Sequence, residues 1–272
     1  MNERPGRLVL LGHPLGHTLS PRIQNAALAA AGIGLTYETL DIPPSAVEDT
    51  ITELRRLGAA GNVTIPYKEV VRDACDRLTH AAAAVGAVNT FWVAVDGALV
   101  GHNTDVGGFD AAVKQLLGGA PCDARVALLG AGGGAAAVLR AMEGWDGASV
   151  RMYARTGARA ERLLSRFKLA GEVVEDVAKA VKGATLVVNA TPVGLRDDSL
   201  PLSIELVPAN CAVLDLAYRI GQTALVRTAR ARGHRAMDGL TMLVEQAALA
   251  FESWFSVPPD RDVMWNAVRE SR

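Results

Sequence analysis

Short apolar runs alternate with segments of helical periodicity along the whole chain. Near the N-terminus "RLVLLG" has the unbroken apolar character of a buried strand. After it "SPRIQNAALAAAG" predicts a helix, with Ser20 as its cap, Pro21 at its first position and Gly32 as its stop. "TYETLDI" alternates with period two like a strand, "SAVEDTITELRRLG" carries the spacing of an amphipathic helix, and "AAGNVTI" reads as a strand again. This β-α-β-α-β order predicts a largely parallel sheet covered by helices. "AVNTFWVAVDGALVGHNTD" breaks the alternation. Asp96-Gly97 between two apolar runs is a hairpin signal, so the first sheet is expected to be mixed.

A second alternating series begins near residue 124. "DARVALLGAGGGAAAVLRAM" reads as strand, glycine turn and helix, "ASVRMYART" as a strand, and "GARAERLLSRF" as a helix. "ATLVVNATPVG" and "CAVLDLAY" are further buried strands, and "HRAMDG" is a candidate for a short last one. The helix "VGGFDAAVKQLL" (106–117) connects the two series. "TMLVEQAALAFESWF" is helical by the spacing of Leu243, Ala247, Ala250, Phe251 and Trp254. The expected architecture is α/β with two domains and a cleft between them.

The glycine turn carries chemistry. In "LLGAGGGAAA", Gly130, Gly132 and Ala135 fit G-x-G-x-x-G/A directly after a strand and at the start of a helix. Such a turn lets backbone approach a pyrophosphate, and the free N–H groups of the helix N-terminus face it. A tight strand-to-helix turn without a ligand would look the same in isolation. The end of the next strand reads "YARTGAR", with Ala154 near the position that discriminates cofactors and Arg155, Thr156 and Arg159 after it. An acid there would bind the ribose of NAD; cations suit the 2′-phosphate of NADP. NADP is therefore the expected cofactor.

"NVTIPYK" (62–68) places further polar groups at a strand end. Asn62 and Thr64 share one side of a strand, Pro66 ends the ladder, and Lys68 opens a helix over 67–74. Thr18 and Ser20 in "GHPLGHTLSP" bring hydroxyls to a helix start, which suits a carboxylate; Ser20 alone could equally be a simple cap. Asn89 in "GAVNT" and Asn103, Thr104 and Asp105 in "HNTD" stand at strand edges. The histidines at 13, 17, 80, 102 and 234 show no pattern of partners and read as packing or surface residues.

Bulk properties narrow the function classes. The chain has 272 residues, 50% of them hydrophobic and 21% charged, with a formal net charge of −1. Near-neutral charge and 5% aromatics suggest neither nucleic acid nor an anionic membrane surface as a partner. No apolar stretch approaches the roughly 20 residues of a membrane span, and no secretory signal is expected. Three scattered cysteines, at 75, 122 and 211, read as reduced thiols of a cytoplasmic protein. No histidine or cysteine spacing suggests a metal site.

The ordered motifs "GHPLGHTLSPRIQN", "NVTIPYK", "GAVNT", "NTDVGG", "GAGGGA", "NATPVG" and "DGLTMLVEQ" resemble those of shikimate dehydrogenases across almost the whole chain. The resemblance implies NADP-linked, reversible reduction of 3-dehydroshikimate to shikimate on the way to chorismate and the aromatic amino acids. It implies a substrate domain over 1–105, completed by C-terminal helices over 240–272, and a Rossmann-type domain over 106–239. Lys68 and Asp105 would be the catalytic pair, and Thr18 and Ser20 the carboxylate site. Asn62, Thr64, Asn89, Tyr218 and Gln246 would touch substrate. Gly130, Ala131, Gly132, Gly133, Gly134, Ala154, Arg155, Thr156, Arg159, Thr191, Leu216 and Gly239 would hold the cofactor. Monomer and homodimer both stay open.

Several positions depart from the family pattern. Thr18 stands where Ser is common, Gln24 where His is common, and Ala154 where Asn precedes the Arg-Thr pair. After Tyr218, "RIGQT" lacks the usual proline-containing run. The rival readings are a quinate or quinate/shikimate dehydrogenase and a non-catalytic nucleotide or metabolite sensor on the same fold. A serine hydrolase would need a G-x-S-x-G elbow, which is absent.

Overall fold

The computed structural model describes residues 5–16, 18–219 and 221–269, so His17 and Ile220 of the motifs above lie outside the described residues. The chain divides into two compact units, one running to Asp105 and resuming at Leu243, the other Val106–Met242.

The first unit holds, in order, β1 (Leu8–Gly12), α1 (Ser20–Ala30), β2 (Tyr37–Asp41), α2 (Val47–Arg56), β3 (Ala60–Val63), α3 (Lys68–Ala74), β4 (Arg77–Leu78), α4 (His80–Val85), β5 (Thr90–Val93) and β6 (Leu99–His102). The sheet order is β2-β1-β3-β5-β6-β4. β1 lies parallel to both β2 and β3, whereas β5 runs antiparallel to β3 and β6, giving the mixed sheet expected from the hairpin. β1 is central and buried along its whole length, which is why its sequence is apolar without alternation. On α2 the buried residues Val47, Ile51 and Leu54 form a single stripe. At the hairpin turn, Gly97 takes a φ of 80° and donates its N–H to the Ala94 carbonyl.

One local expectation is corrected. Ser20 does not cap α1: the helical conformation already begins at Leu19, with φ −88° and ψ −8°, and Leu19, which holds the cap position, offers no side-chain hydrogen bond. Ser20 is the first helical residue and Pro21 the second, while the Ser20 N–H donates to Thr18 Oγ1 at 3.2 Å. The hydroxyl serving the helix start is therefore that of Thr18.

The second unit begins within α5 (Asp105–Leu117) and continues with β7 (Arg125–Leu129), α6 (Gly133–Met142), β8 (Ser149–Tyr153), α7 (Gly157–Leu164), β9 (Ala170–Val173), α8 (Val177–Val181), β10 (Leu186–Asn189), β11 (Ala212–Asp215), α9 (Ala224–Ala231) and β12 (Ala236–Met237). Its six strands are ordered β12-β11-β10-β7-β8-β9, and every neighbouring pair is parallel. The order reverses between β7 and β10, so the carboxyl ends of these strands flank the switch point of a doubly wound sheet.

α10 (Leu240–Phe255) and α11 (Arg261–Arg269) close the chain. Within the first unit, Trp254 Nε1 donates to the Phe91 carbonyl at 3.2 Å, and the Trp254 and Tyr37 rings lie 6.0 Å apart. Ala247, Ala250, Phe251 and Trp254 are buried as the spacing predicts, but Leu243 is half-buried and Val244 takes its core place. Among the described residues no helix is long and apolar enough to cross a membrane.

Candidate active site

In the first unit, polar side chains meet where β3 and β6 end and β5 begins. The turn after β3 returns at once into α3, with the Tyr67 N–H donating to the Thr64 carbonyl at 3.0 Å, and this puts Lys68 at the helix start. Lys68 Nζ lies 2.6 Å from Asp105 Oδ2, and the two side chains are 23% and 11% exposed. Asp105 opens α5, and its other oxygen accepts from Asn89 Nδ2 at 2.7 Å. Asn89 Oδ1 in turn accepts the Thr104 N–H at 2.8 Å and the Thr90 hydroxyl at 3.0 Å. Gln246 reaches the same cluster from α10, with Oε1 3.4 Å from both Asn89 Nδ2 and Thr104 Oγ1. The carboxylate is thus fixed from one side while it fixes the ammonium on the other. Among the described residues one of the three ammonium protons is used, leaving two for a ligand oxygen.

The structure brings Lys68, Asp105, Asn89 and Gln246 into one hydrogen-bonded cluster. Thr64 follows β3 directly and donates its N–H to the Leu11 carbonyl at 2.9 Å. Asn62 is buried, and most of its hydrogen-bonding capacity is used internally. Its Oδ1 accepts from Tyr37 Oη at 2.8 Å, and its Nδ2 donates to Thr90 Oγ1 at 3.0 Å and the Asn89 carbonyl at 3.2 Å. One lone pair of Oδ1 is all it retains for a ligand. Tyr218 belongs to the other unit, half-buried beyond β11.

Tyr37 and Thr90 are members of the cluster that sequence reasoning missed. The signal was the register of the hairpin, which sets Thr90 opposite Asn62 on one side and His102 on the other. His13, taken as packing or surface, has a partner: its Nδ1 lies 2.7 Å from Asp41 Oδ1, while Asp41 Oδ2 accepts the Leu15 N–H at 2.8 Å. The Leu15 N–H, then His13, holds the Asp41 carboxyl below the usual range. This carboxylate ties down the loop that leads to Thr18. His102 meets the Thr79 hydroxyl at 2.8 Å, and burial lowers its pKa. His234 Nδ1 donates to the Cys211 carbonyl at 3.1 Å.

Gln24 is wholly buried one turn after Ser20; its Nε2 donates to the Ala247 carbonyl at 3.0 Å and its Oε1 has no partner among the described residues. A buried acceptor left unsatisfied costs about 1–3 kcal/mol. Gln24→Met, similar in shape and free of that acceptor, is expected to leave stability unchanged or raise it by about 1 kcal/mol. A thermal midpoint several degrees below that of the native protein would show that the amide is needed.

The second unit supplies a different site. Gly130 has a φ of 111°, and a Cβ built there would lie 2.9 Å from the Ala190 carbonyl oxygen and 3.2 Å from Thr191 Cγ2. At Gly239 it would lie 2.2 Å from the Leu216 carbonyl oxygen, and at Gly134 3.3 Å from Leu216 Cδ1. Gly130, Gly134, Thr191, Leu216 and Gly239 thus meet at the switch point. A Cβ at Gly132 or Gly133 would instead meet nothing within 4 Å, so these two present bare backbone to open space beside Ala131. No side chain caps the N-terminus of α6, whose first turn holds no acid. A pyrophosphate fits such a cradle, since free N–H groups and the positive end of a helix face it. Beyond β8, Ala154 is half-buried, and Arg155, Thr156 and Arg159 are exposed around the start of α7, which also lacks an acid in its first turn.

A parallel sheet with a glycine turn at its switch point, joined to a mixed-sheet unit carrying an ammonium–carboxylate pair, defines the class of two-unit α/β dehydrogenases. Comparisons narrow it. The family model of the shikimate dehydrogenase substrate-binding domain matches residues 10–91, and that of the shikimate 5′-dehydrogenase C-terminal domain matches residues 239–269. A shikimate dehydrogenase (NADP(+)) of Rubrobacter xylanophilus is 44% identical over 268 residues, covering 95% of this chain and 94% of the relative. Among solved structures, shikimate dehydrogenase from Aquifex aeolicus aligns with a TM-score of 0.91 at 31% identity over 99% of both chains. Shikimate 5-dehydrogenase from Thermus thermophilus, in complex with NADP(H) and shikimate, aligns with a TM-score of 0.86 at 38% identity over 98% of this chain and 99% of that one. The chain belongs to the shikimate dehydrogenase family.

Proposed function

We propose that this protein is an NADP-dependent shikimate dehydrogenase that reversibly reduces 3-dehydroshikimate to shikimate in the route to chorismate. The observation that carries the reading is the Lys68–Asp105 pair at 2.6 Å, anchored by Asn89. Lys68 and Asp105 are the catalytic residues. Reduction of a ketone places negative charge on its oxygen; the Lys68 ammonium stabilises that charge and donates the proton. In reverse the neutral amine takes the proton from the alcohol. Asp105 orients the ammonium and accepts from the substrate hydroxyl. Bound NADPH supplies the hydride, and NADP+ accepts it in the other direction.

Thr18 and Ser20 bind the substrate carboxylate, and Thr64, Asn89, Tyr218 and Gln246 meet its hydroxyls. Asn62 sets the positions of Tyr37 and Thr90 and offers one remaining lone pair. The cradle at Gly130, Ala131, Gly132, Gly133 and Gly134, closed by Thr191, Leu216 and Gly239, fits the pyrophosphate. Ala154, Arg155, Thr156 and Arg159 fit the 2′-phosphate end. The first unit is then the substrate domain and the second the cofactor domain. Action in the cytoplasm on a small molecule, as a monomer or a homodimer, accords with this reading. Purified protein assayed with shikimate or quinate, each with NADP or NAD, tests it: the shikimate–NADP pair is expected to give the highest of the four kcat/KM values.

The quinate arm depends on Thr18. Quinate carries an extra hydroxyl on the carbon that bears its carboxylate, so it needs room beside the residues that bind that group. The Ser20 N–H holds Thr18 Oγ1 at 3.2 Å, which fixes the side chain and directs its methyl as well. A buried hydroxyl without a partner costs about 1–3 kcal/mol, roughly 5- to 150-fold in kcat/KM. Shikimate is expected to be preferred by a factor in that range. Thr18→Ser should improve quinate while leaving shikimate turnover nearly intact. A native preference for quinate would defeat the argument and favour the rival dehydrogenase.

A further inference from the structure

We propose that Asp215 is a positioning residue for dinucleotide binding, acting through Asn189 on the loop that closes the switch-point crevice. It rests on the reading of the second unit as the NADP site. Asp215 ends β11 and Asn189 ends β10; both are completely buried. Asp215 Oδ1 accepts from Asn189 Nδ2 at 2.8 Å and from the Ala217 N–H at 3.1 Å. Asn189 Oδ1 passes the constraint on, accepting the Thr191 hydroxyl at 2.7 Å and the Thr191 N–H at 3.1 Å. Thr191 Oγ1 then accepts the Val193 N–H at 3.2 Å. One carboxyl group thereby sets both the 190–193 loop, which meets Gly130, and the segment after β11, whose Leu216 meets Gly134 and Gly239.

The other oxygen explains how an acid can do this. Oδ2 is buried with no hydrogen-bond partner among the described residues. Burial pushes the carboxyl above the usual range; the neighbouring Thr223 hydroxyl, the Ala217 N–H and Asn189 oppose this, and the charge of Asp238 adds to the rise. A carboxylate oxygen enclosed in this way holds its charge poorly. Oδ1 is the acceptor that Asn189 and Ala217 require. Asparagine keeps that acceptor and puts a neutral Nδ2 in the place of Oδ2. Leucine keeps the size and loses the acceptor.

The experiment measures the Kd for NADP by titration calorimetry and the KM for shikimate at saturating NADP, for the native protein, Asp215→Asn and Asp215→Leu. The leucine variant is expected to bind NADP about tenfold more weakly, and the asparagine variant within about threefold of native. The KM for shikimate is expected to change less than the Kd for NADP, because only Tyr218, directly after Ala217, shares this anchor with the substrate contacts. A structural role alone would not yield rescue by asparagine together with a loss that falls mainly on the cofactor. The proposal is overturned if the leucine variant binds NADP as tightly as the native protein, if asparagine loses as much as leucine, or if the shikimate KM rises equally. Should the leucine variant fail to fold, Asn189→Ser, which cuts the link while leaving Asp215 in place, carries the same expectation and the same refutation. Native protein that does not bind NADP would overturn the functional reading as well; native binding with an unaffected leucine variant would overturn this inference alone.

Discussion

Lys68→Ala is expected to lower kcat on the order of 100- to 10,000-fold while changing the KM for shikimate only a few-fold. The asymmetry follows from where the charge matters. In the ground state the carbonyl oxygen is weakly polar, and an ammonium beside it contributes little to binding. As the alkoxide develops, the same ammonium meets a nearly full negative charge and a proton acceptor. The protein has already oriented it: Asp105 Oδ2 lies 2.6 Å from Nζ, and Asn89 holds the other carboxylate oxygen at 2.7 Å. Truncation also leaves the Asp105 charge without its partner, so thermal midpoints must accompany the kinetics. A folded variant with near-native kcat would mean that another group moves the proton. A loss confined to KM would mean that Lys68 only binds substrate.

The parts of the fold legible in the sequence are those whose side chains repeat a pattern over enough residues. β1 is buried along its whole length and apolar throughout, and β7, β10 and β11 are buried and apolar except for Arg125 at the start of β7, Asn189 at the end of β10 and Asp215 at the end of β11. The elements that were not read carry little pattern. β4 is two exposed residues, β9 is mostly exposed at the sheet edge, and α8 spans five residues. α11 is only nine residues long and fully buries just Met264 and Val268. α9 was legible in principle, because Thr223 caps it by accepting the Val226 N–H and Leu225, Val226 and Ala229 are buried.

The candidate site was legible in residue type and only partly in arrangement. Lys68 and Asp105 are 37 positions apart, and no local periodicity couples them; the link came from the resemblance of whole motifs. Ser20 was misread as a cap because hydroxyl residues at 18 and 20 compete for one helix start, and backbone dihedrals decide between them. Asn62 drew attention as a ligand contact, yet β-sheet register places Thr90 opposite it and β2 brings the Tyr37 hydroxyl to its oxygen. Such partners depend on strand pairing, which alternation within one strand does not encode.

Replacing both Arg155 and Arg159 with neutral residues is expected to raise the KM for NADP on the order of 100-fold and to leave NAD nearly untouched. A hydrogen bond to a charged group is worth about 1.5–3 kcal/mol, so two arginines on one phosphate account for a change of this size. Both are exposed near the N-terminus of α7, where cations oppose the helix dipole and no acid in the first turn offsets them. A 2′-phosphate reverses that: a dianion is favoured by the same helix end and by both guanidinium groups. Because the site is open to solvent, the preference for NADP should also shrink as salt rises and the Debye length falls from about 10 Å at 0.1 M to 3 Å at 1 M. A hydrophobic contact to adenine would show no such salt dependence and would serve NAD equally. Equal losses with both cofactors, or a fall in thermal midpoint that accounts for the loss, would make the arginines supports of the turn and would leave the NADP preference to Thr156 and backbone N–H groups.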